Sequence, residues 1–196
     1  MSPESPNKHD AIITAAIRLI AEYGFHGTPI SLIAQEAKVG AGTIYRYFAD
    51  KDALVREIFL QVHTEFNQTL LLGYDESLPI RDRFLHICRG TFKYGMDHPF
   101  EFKFIEQFCH SPYGIDLRRE KLFCKCIDTG EDLPLKKILD AGLQQQVIKD
   151  LPLPALLALA IGPIVFLVKD NIAGLVQLDE AVISATLTAC WDGVKR

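Results

Sequence analysis

ISLIAQEAKVGAGTIYRYFADKDAL, residues Ile30 to Leu54, is the stretch around which the rest of the chain is organised. Ile30, Ile33, Ala34 and Ala37 recur at helical spacing, so one side of a short helix is apolar and packs inward. Lys38 to Gly40 interrupt the pattern, and a second short helix begins at Ala41. In it Ile44 and Phe48 lie one turn apart and form a buried pair, with Val39 ahead of them as a turn residue packing between the helices. The side left to water carries Thr43, Tyr45, Arg46 and Tyr47, with small Ala41 and Gly42 at its N-terminal end. Two short helices joined by a tight turn, the second bearing hydroxyls and a cation, read as a helix-turn-helix. The small residues let the helix N-terminus approach a phosphate or base edge, where its unpaired N–H groups attract anions.

The residues around this motif carry a wider resemblance. The run Ala15-Ala16-Ile17-Arg18-Leu19-Ile20-Ala21-Glu22-Tyr23-Gly24-Phe25, then Thr28, Ile33-Ala34, Ala37 and Gly42-Thr43-Ile44-Tyr45-Arg46-Tyr47-Phe48 with Lys51 and Leu54, resembles the DNA-binding domain of the tetracycline-repressor (TetR) family over residues 8–56. Beyond it the chain resembles the family in length and helical content. Two positions depart from the family pattern: Lys38 stands where Gly is usual, and Gly40 where Ser or Thr is usual. A left-handed Lys38 costs about 1–2 kcal/mol, and its ammonium can return a phosphate contact. Gly40 can cap the second helix but brings no side-chain oxygen to it or to a phosphate.

Charge alone does not advertise a nucleic-acid partner. The 196-residue chain has a formal net charge of −4. Within residues 1–54, Lys8, Arg18, Lys38, Arg46 and Lys51 are outnumbered by Glu4, Asp10, Glu22, Glu36, Asp50 and Asp52. Position outweighs the sum, because Lys38, Arg46 and Lys51 cluster at the exposed helix. Five cysteines without a secretory signal indicate free thiols in the cytoplasm. Cys124 and Cys126 point about 200° apart on a helix and cannot bridge each other. Cys109 and His110 with those two match no established zinc spacing; small apolar core residues are the alternative reading of the cysteines. No cofactor or metal is expected.

Taken in order, residues 1–7 form a disordered arm and Asn7 caps the first helix, with Asp10 near its positive end. Ile12, Ala16, Leu19, Ile20 and Tyr23 make its apolar stripe, and Gly24 stops it. The Thr28 hydroxyl caps the second helix, touches a phosphate, or does both. Asp50 caps a long fourth helix from Lys51 to Gly73 whose apolar positions are Leu54, Val55, Ile58, Phe59, Val62, Phe66 and Leu70. The domains expected are a helix-turn-helix domain over residues 1–50 and a helical ligand-binding and dimerisation domain over residues 51–196. Further helices open at Pro79 (Ile80, Phe84, Ile87, Cys88, Thr91 and Phe92 inward) and at Pro99 (Phe100, Phe102, Phe104, Ile105 and Phe108). Ser111–Gly114 reads as a turn, Ile115–Ile127 as a helix, Thr129–Asp132 as a loop and Pro134–Val147 as a helix. The fold class is all-α, a three-helix N-terminal domain joined by a long helix to a helical domain.

Two features of the second half bear on function. Aromatics concentrate from Phe92 to Phe123. Ordinary core packing accounts for any one of them; the family resemblance implies that together Phe92, Phe104, Phe108 and Phe123 enclose a small apolar effector. Leu151–Val168 is uncharged over eighteen residues, long enough for a membrane span. Prolines punctuate it, and Lys149-Asp150 and Lys169-Asp170 flank it symmetrically. A helix apolar all round is also what a partner subunit covers, so Leu151–Asp170 with a helix over Leu175–Trp191 is read as a homodimer interface.

The function implied is a cytoplasmic regulator that binds a palindromic double-stranded DNA operator as a homodimer and, as a repressor, is released by its effector. Arg46 and Tyr47 are the base readers, Arg46 pairing with guanine or serving as a phosphate contact. Thr28, Ser31, Thr43, Tyr45 and Lys51 position the phosphates. A membrane-associated helical protein and a helical enzyme are the competing classes; no nucleophile–base pair, paired carboxylates or phosphate-cradling Gly loop supports the latter.

Overall fold

The computed structural model describes residues 7–115 and 133–196. These form helices α1 (Lys8–Gly27), α2 (Ile30–Glu36), α3 (Ala41–Tyr47), α4 (Lys51–Leu71), α5 (Ile80–Asp97), α6 (Pro99–His110), α7 (Pro134–Gln144), α8 (Leu153–Ile172) and α9 (Glu180–Val194). No strand occurs among the described residues; an isolated antiparallel bridge joins Ile148 and Lys195. The chain is all-α, as its periodicity dictates. Phe123, Cys124, Cys126, the 1–7 arm up to residue 6, most of the expected 115–127 helix and the 129–132 loop lie outside the described residues.

The chain clusters into two compact units, residues 1–64 with 100–115, and residues 65–99 with 116–196. The division falls inside α4, at a different place from the boundary expected at residue 50, and it assigns nearly all of α6 to the first unit. Within that unit the three short-range helices close on Ile12, Ala16, Ile20, Ile33, Ile44 and Phe48, all buried. Leu54, Val55, Ile58, Phe59 and Val62 of α4 are buried as well. Asn7 and Asp50 cap as expected: the His9 N–H donates to Asn7 Oδ1 (3.3 Å) and the Ala53 N–H to Asp50 Oδ1 (2.7 Å).

Some boundaries differ from the sequence pattern. Gly24 (φ 72°, ψ 172°) stops the first stretch of α1 as expected, and a further short helical turn runs on to Gly27. Tyr23 points to water, and the inward stripe runs instead through Ile12, Ile13, Ala16, Ile17 and Ile20. Residues 112–115 are helical, not a simple turn. α7 ends at Gln144, with Gln146 at φ 59°. α9 begins at Glu180 rather than Leu175, because the Asp179 carboxylate accepts the Val182 N–H (2.8 Å) and starts the helix there.

The second unit packs α5, α8 and α9 together. Ile80, Phe84, Ile87, Cys88 and Phe92 supply the inward face of α5, with the Phe84 ring 5.4 Å from Trp191 of α9. From α8 only Leu156, Ala160, Ile164 and Val168, one per turn, are buried. The opposite side of that helix is open: Ala158, Leu159, Gly162, Pro163 and Phe166 are exposed, Phe166 by 64%. α9 leaves Ala181, Ala185, Thr188 and Ala189 exposed. Among the described residues, α8 alone is long and apolar enough to cross a membrane.

Candidate nucleic-acid interface

Helix α2 ends in a tight turn that sets the start of α3. The Val39 N–H donates to the Ala34 carbonyl (2.9 Å) and the Lys38 N–H to the Gln35 carbonyl (3.2 Å), a Schellman closure with Lys38 at its left-handed position, φ 55°. Lysine thus occupies the site that favours glycine, at the strain anticipated above. Gly40 (φ −72°, ψ 146°) is the N-cap of α3 with no side-chain hydrogen bond, and its carbonyl accepts the Thr43 N–H at 2.8 Å. A glycine there leaves the mouth of α3 uncovered.

From that start the helix buries Ile44 and Phe48 and turns its other side outward. Ser31, Lys38, Ala41, Gly42, Tyr45, Arg46 and Tyr47 are exposed and Thr43 is half-buried. Tyr45 is 56% exposed, and nothing lies within 4 Å of the position a Gly42 side chain would take. The Arg46 guanidinium sits over the Tyr47 ring, 6.0 Å from its centroid. Donors, aromatic edges and a cation therefore share one convex surface on a helix narrow enough for the major groove.

Two expected contacts are placed differently. Thr28 is wholly buried, and its hydroxyl donates to the Gly24 carbonyl (2.8 Å); Pro29, not Thr28, is the N-cap of α2. The kink at Gly24 frees that carbonyl from the helix, and Thr28 is the nearest donor for it. Lys51 donates its ammonium to the Phe25 carbonyl, tying the start of α4 to the end of α1. Burial holds the Lys51 amine below the usual lysine range, partly opposed by the charge of Asp52. An ammonium has three donors, so this tie leaves capacity for a phosphate.

Elsewhere in the same unit an aromatic cluster joins the end of α1 to α4 and α6, its members coming from distant sequence. Phe25 meets Phe104 (5.8 Å between centroids) and Tyr113 (5.5 Å), and Phe59 stacks on Phe108 at 4.0 Å and 12°. Gln107 donates to the Ala21 carbonyl (3.2 Å), Tyr113 donates its hydroxyl to Asp52 Oδ1 (2.8 Å), and the Arg18 guanidinium covers Phe100 at 5.5 Å. Of the four rings expected about an effector, Phe104 and Phe108 thus lie buried together in the first unit, Phe92 lies buried in the second, and Phe123 is outside the described residues. Tyr113 and Gln107 were missed in the sequence because neither carries a local pattern. Among the described residues no group of three His, Cys, Asp or Glu side chains is placed to hold a metal ion, and Cys88 and Cys190 are buried free thiols.

Comparison with known proteins accords with this geometry. A family model described as bacterial regulatory proteins, tetR family, matches residues 12–58. A second, described as tetracyclin repressor-like, C-terminal domain, matches residues 59–196. The chain is 27% identical over 142 residues to an uncharacterized HTH-type transcriptional regulator of Haemophilus influenzae, spanning 72% of this chain and 73% of that protein. It is 41% identical over 59 residues to the fatty acid metabolism regulator protein of Bacillus subtilis, a match covering 30% of each. A crystal structure of a TetR family transcription regulator from Marinobacter aquaeolei VT8 superposes with a TM-score of 0.81 at 26% identity, covering 96% of this chain and 95% of that one. The helix-turn-helix, the helical second half and these matches together place the chain in the TetR family of DNA-binding transcriptional regulators.

Proposed function

We propose that the protein is a cytoplasmic repressor that binds a palindromic operator as a homodimer and lets go when a small apolar effector binds. The observation carrying the DNA half is the outward face of α3, where Arg46 and Tyr47 are exposed. Arg46 reads guanine N7 and O6, Tyr47 reads its neighbour, and Ser31, Lys38, Thr43, Tyr45 and Lys51 hold phosphates while Ala41 and Gly42 admit the backbone closely. Thr28 acts from beneath, by fixing the Gly24 kink.

The dimer half rests on the open side of α8. Leu159, Gly162, Pro163 and Phe166 with the small residues of α9 form an apolar face that a second copy can cover, giving the self-complementary contact of a two-fold dimer. Leu151–Asp170 supplies its centre and residues 175–191 its flank. Such a face also fits a lipid bilayer, and co-sedimentation with phospholipid vesicles separates the two readings.

For the effector, the buried Phe92 of α5 marks the candidate region in the second unit, whereas Phe104 and Phe108 are engaged with Phe25 and Phe59 in the first. The Bacillus subtilis relative is named for fatty acid metabolism, so acyl compounds are the first class to try. Purified full-length protein incubated with a randomised DNA library should enrich one palindrome, and an acyl effector should weaken its binding by about 1–3 kcal/mol of coupling. Enrichment of no sequence over background would refute the regulator mechanism as stated.

A further inference from the structure

We infer that His9, a residue with no place in the recognition motif, is a positioning residue that holds Tyr47 in its reading orientation; this rests on α3 being the DNA-reading helix. Tyr47 is the last residue of α3, and Phe48 after it is already extended (φ −128°, ψ 127°). A tyrosine at a helix end with 40% of its surface exposed has few neighbours to fix its ring. His9, at the start of α1, supplies one. Its ring stacks on Phe48 (5.3 Å between centroids, 25°) and meets Tyr47 edge-on (5.5 Å, 69°).

The imidazole is itself held from α4. Nε2 lies 2.7 Å from Glu57 Oε1 on α4, and Nδ1 lies 3.3 Å from Asp10 Oδ1. Main chain and capping fix its base, since the His9 N–H is the group that Asn7 caps. A ring anchored to α4 and pressed against Tyr47 and Phe48 is a wedge with a defined orientation. The same two carboxylates argue against His9 as a phosphate contact, because they flank its nitrogens and repel an anion. His9 therefore acts through Tyr47, not on DNA.

Three variants of the full chain separate this from a merely structural role. His9→Ala should lower affinity for the selected operator about tenfold, the size of a lost aromatic contact in each of two half-sites, while binding to unrelated DNA stays unchanged. His9→Phe keeps the ring without its anchors and should retain most of the sequence preference. His9→Gln keeps a donor for Glu57 without the ring and should behave as His9→Ala. Thermal melting of each variant reports folding, and the contrast between Phe and Gln stands even if Ala unfolds. Equal loss of affinity for all DNA, or rescue by Gln but not Phe, would overturn the assignment. Ring-proton cross-peaks between His9 and Tyr47 in the DNA-free protein test the contact by itself, and their absence also overturns it. A wild-type chain that shows the cross-peaks yet selects no sequence would locate the failure in the DNA-reading assignment of α3.

Discussion

Helices α3 and α8 each leave a side uncovered, and the two sides are chemical opposites. That of α3 carries Thr43, Tyr45, Arg46 and Tyr47, with a hydrogen-bonding group on every one. That of α8 carries Ala158, Leu159, Gly162, Pro163 and Phe166, and no side chain there can form a hydrogen bond. A polar face can wait in water at little cost and bind a polar surface by exchange of partners. An apolar face of this size is unfavourable in water, at roughly 25 cal/mol per Å², and is stable when covered. One face is thus suited to a reversible encounter and the other to a lasting one, which is the division of labour expected between reading DNA and holding two subunits together.

The most drastic way to break that contrast is to make α8 polar. Phe166→Glu puts a carboxylate in each half of the proposed contact and should oppose association by about 4 kcal/mol or more, since an unpaired charge would be buried. Folding of the chain should be unaffected, because the side chain projects away from the core. Sedimentation should show monomers where the wild type gives dimers, and operator affinity should fall about a hundredfold with the loss of bivalency. A monomeric wild type at micromolar concentration would remove the dimer proposal altogether.

The next largest effect lies on α3. Arg46→Ala should cost about 1–3 kcal/mol at one base pair in each half-site and relax preference there. Binding to a randomised library at two salt concentrations measures it. An even loss across all sequences, with a flatter salt dependence, would mark Arg46 as a phosphate contact instead and pass base reading to Tyr47.

How legible these faces were in the sequence differs from element to element. The inward positions of α2 and α3 follow from Ile33, Ala34, Ile44 and Phe48 at helical spacing, and the left-handed turn at Lys38 followed from the family pattern. The single inward stripe of α8 did not follow, because a uniformly apolar helix has no period to read. Neither did the placement of Phe104 and Phe108. Their own spacing says that they are buried but cannot say against what, and their partners Phe25 and Phe59 lie far away in the chain. The ties from Lys51 to the Phe25 carbonyl and from Tyr113 to Asp52 are of the same kind, single polar contacts between distant segments. The start of α9 was misplaced because Leu175 and Leu178 continue an apolar spacing that the Asp179 cap overrides.

A smaller change tests the turn that sets α3. Lys38→Gly should relieve strain of about 1–2 kcal/mol, less the greater freedom a glycine gives the unfolded chain, for a net gain of about 1 kcal/mol. Urea denaturation should show the gain, while a slightly weaker and less salt-dependent DNA binding should show the lost cation. Unchanged or lower stability would mean that Lys38 makes compensating contacts in the folded state.

The smallest expected effect concerns the tie between the start of α4 and the segment after α6, and it has a pH signature. Tyr113 has its hydroxyl ionisation pushed up to about 12, first by burial, then by its hydrogen bond to Asp52 and the negative charges of Asp52 and Asp50. An unfolded tyrosine ionises near about 10. The folded state therefore holds the proton more tightly, so this group's stabilisation is complete below about pH 10 and disappears as the pH rises towards about 12. Tyr113→Phe removes the hydroxyl and should cost about 0.5 kcal/mol at neutral pH, a small sum because Asp52 is exposed to water. Between about pH 9 and pH 11 the variant should lose less stability than the wild type, because it has no phenol to ionise on unfolding. Denaturation at the two pH values gives both differences from one pair of proteins. If the wild type and the variant lose stability in parallel over that range, the Tyr113–Asp52 bond does not persist in solution, and Tyr113 is held by the rings of Phe25 and Phe108 alone.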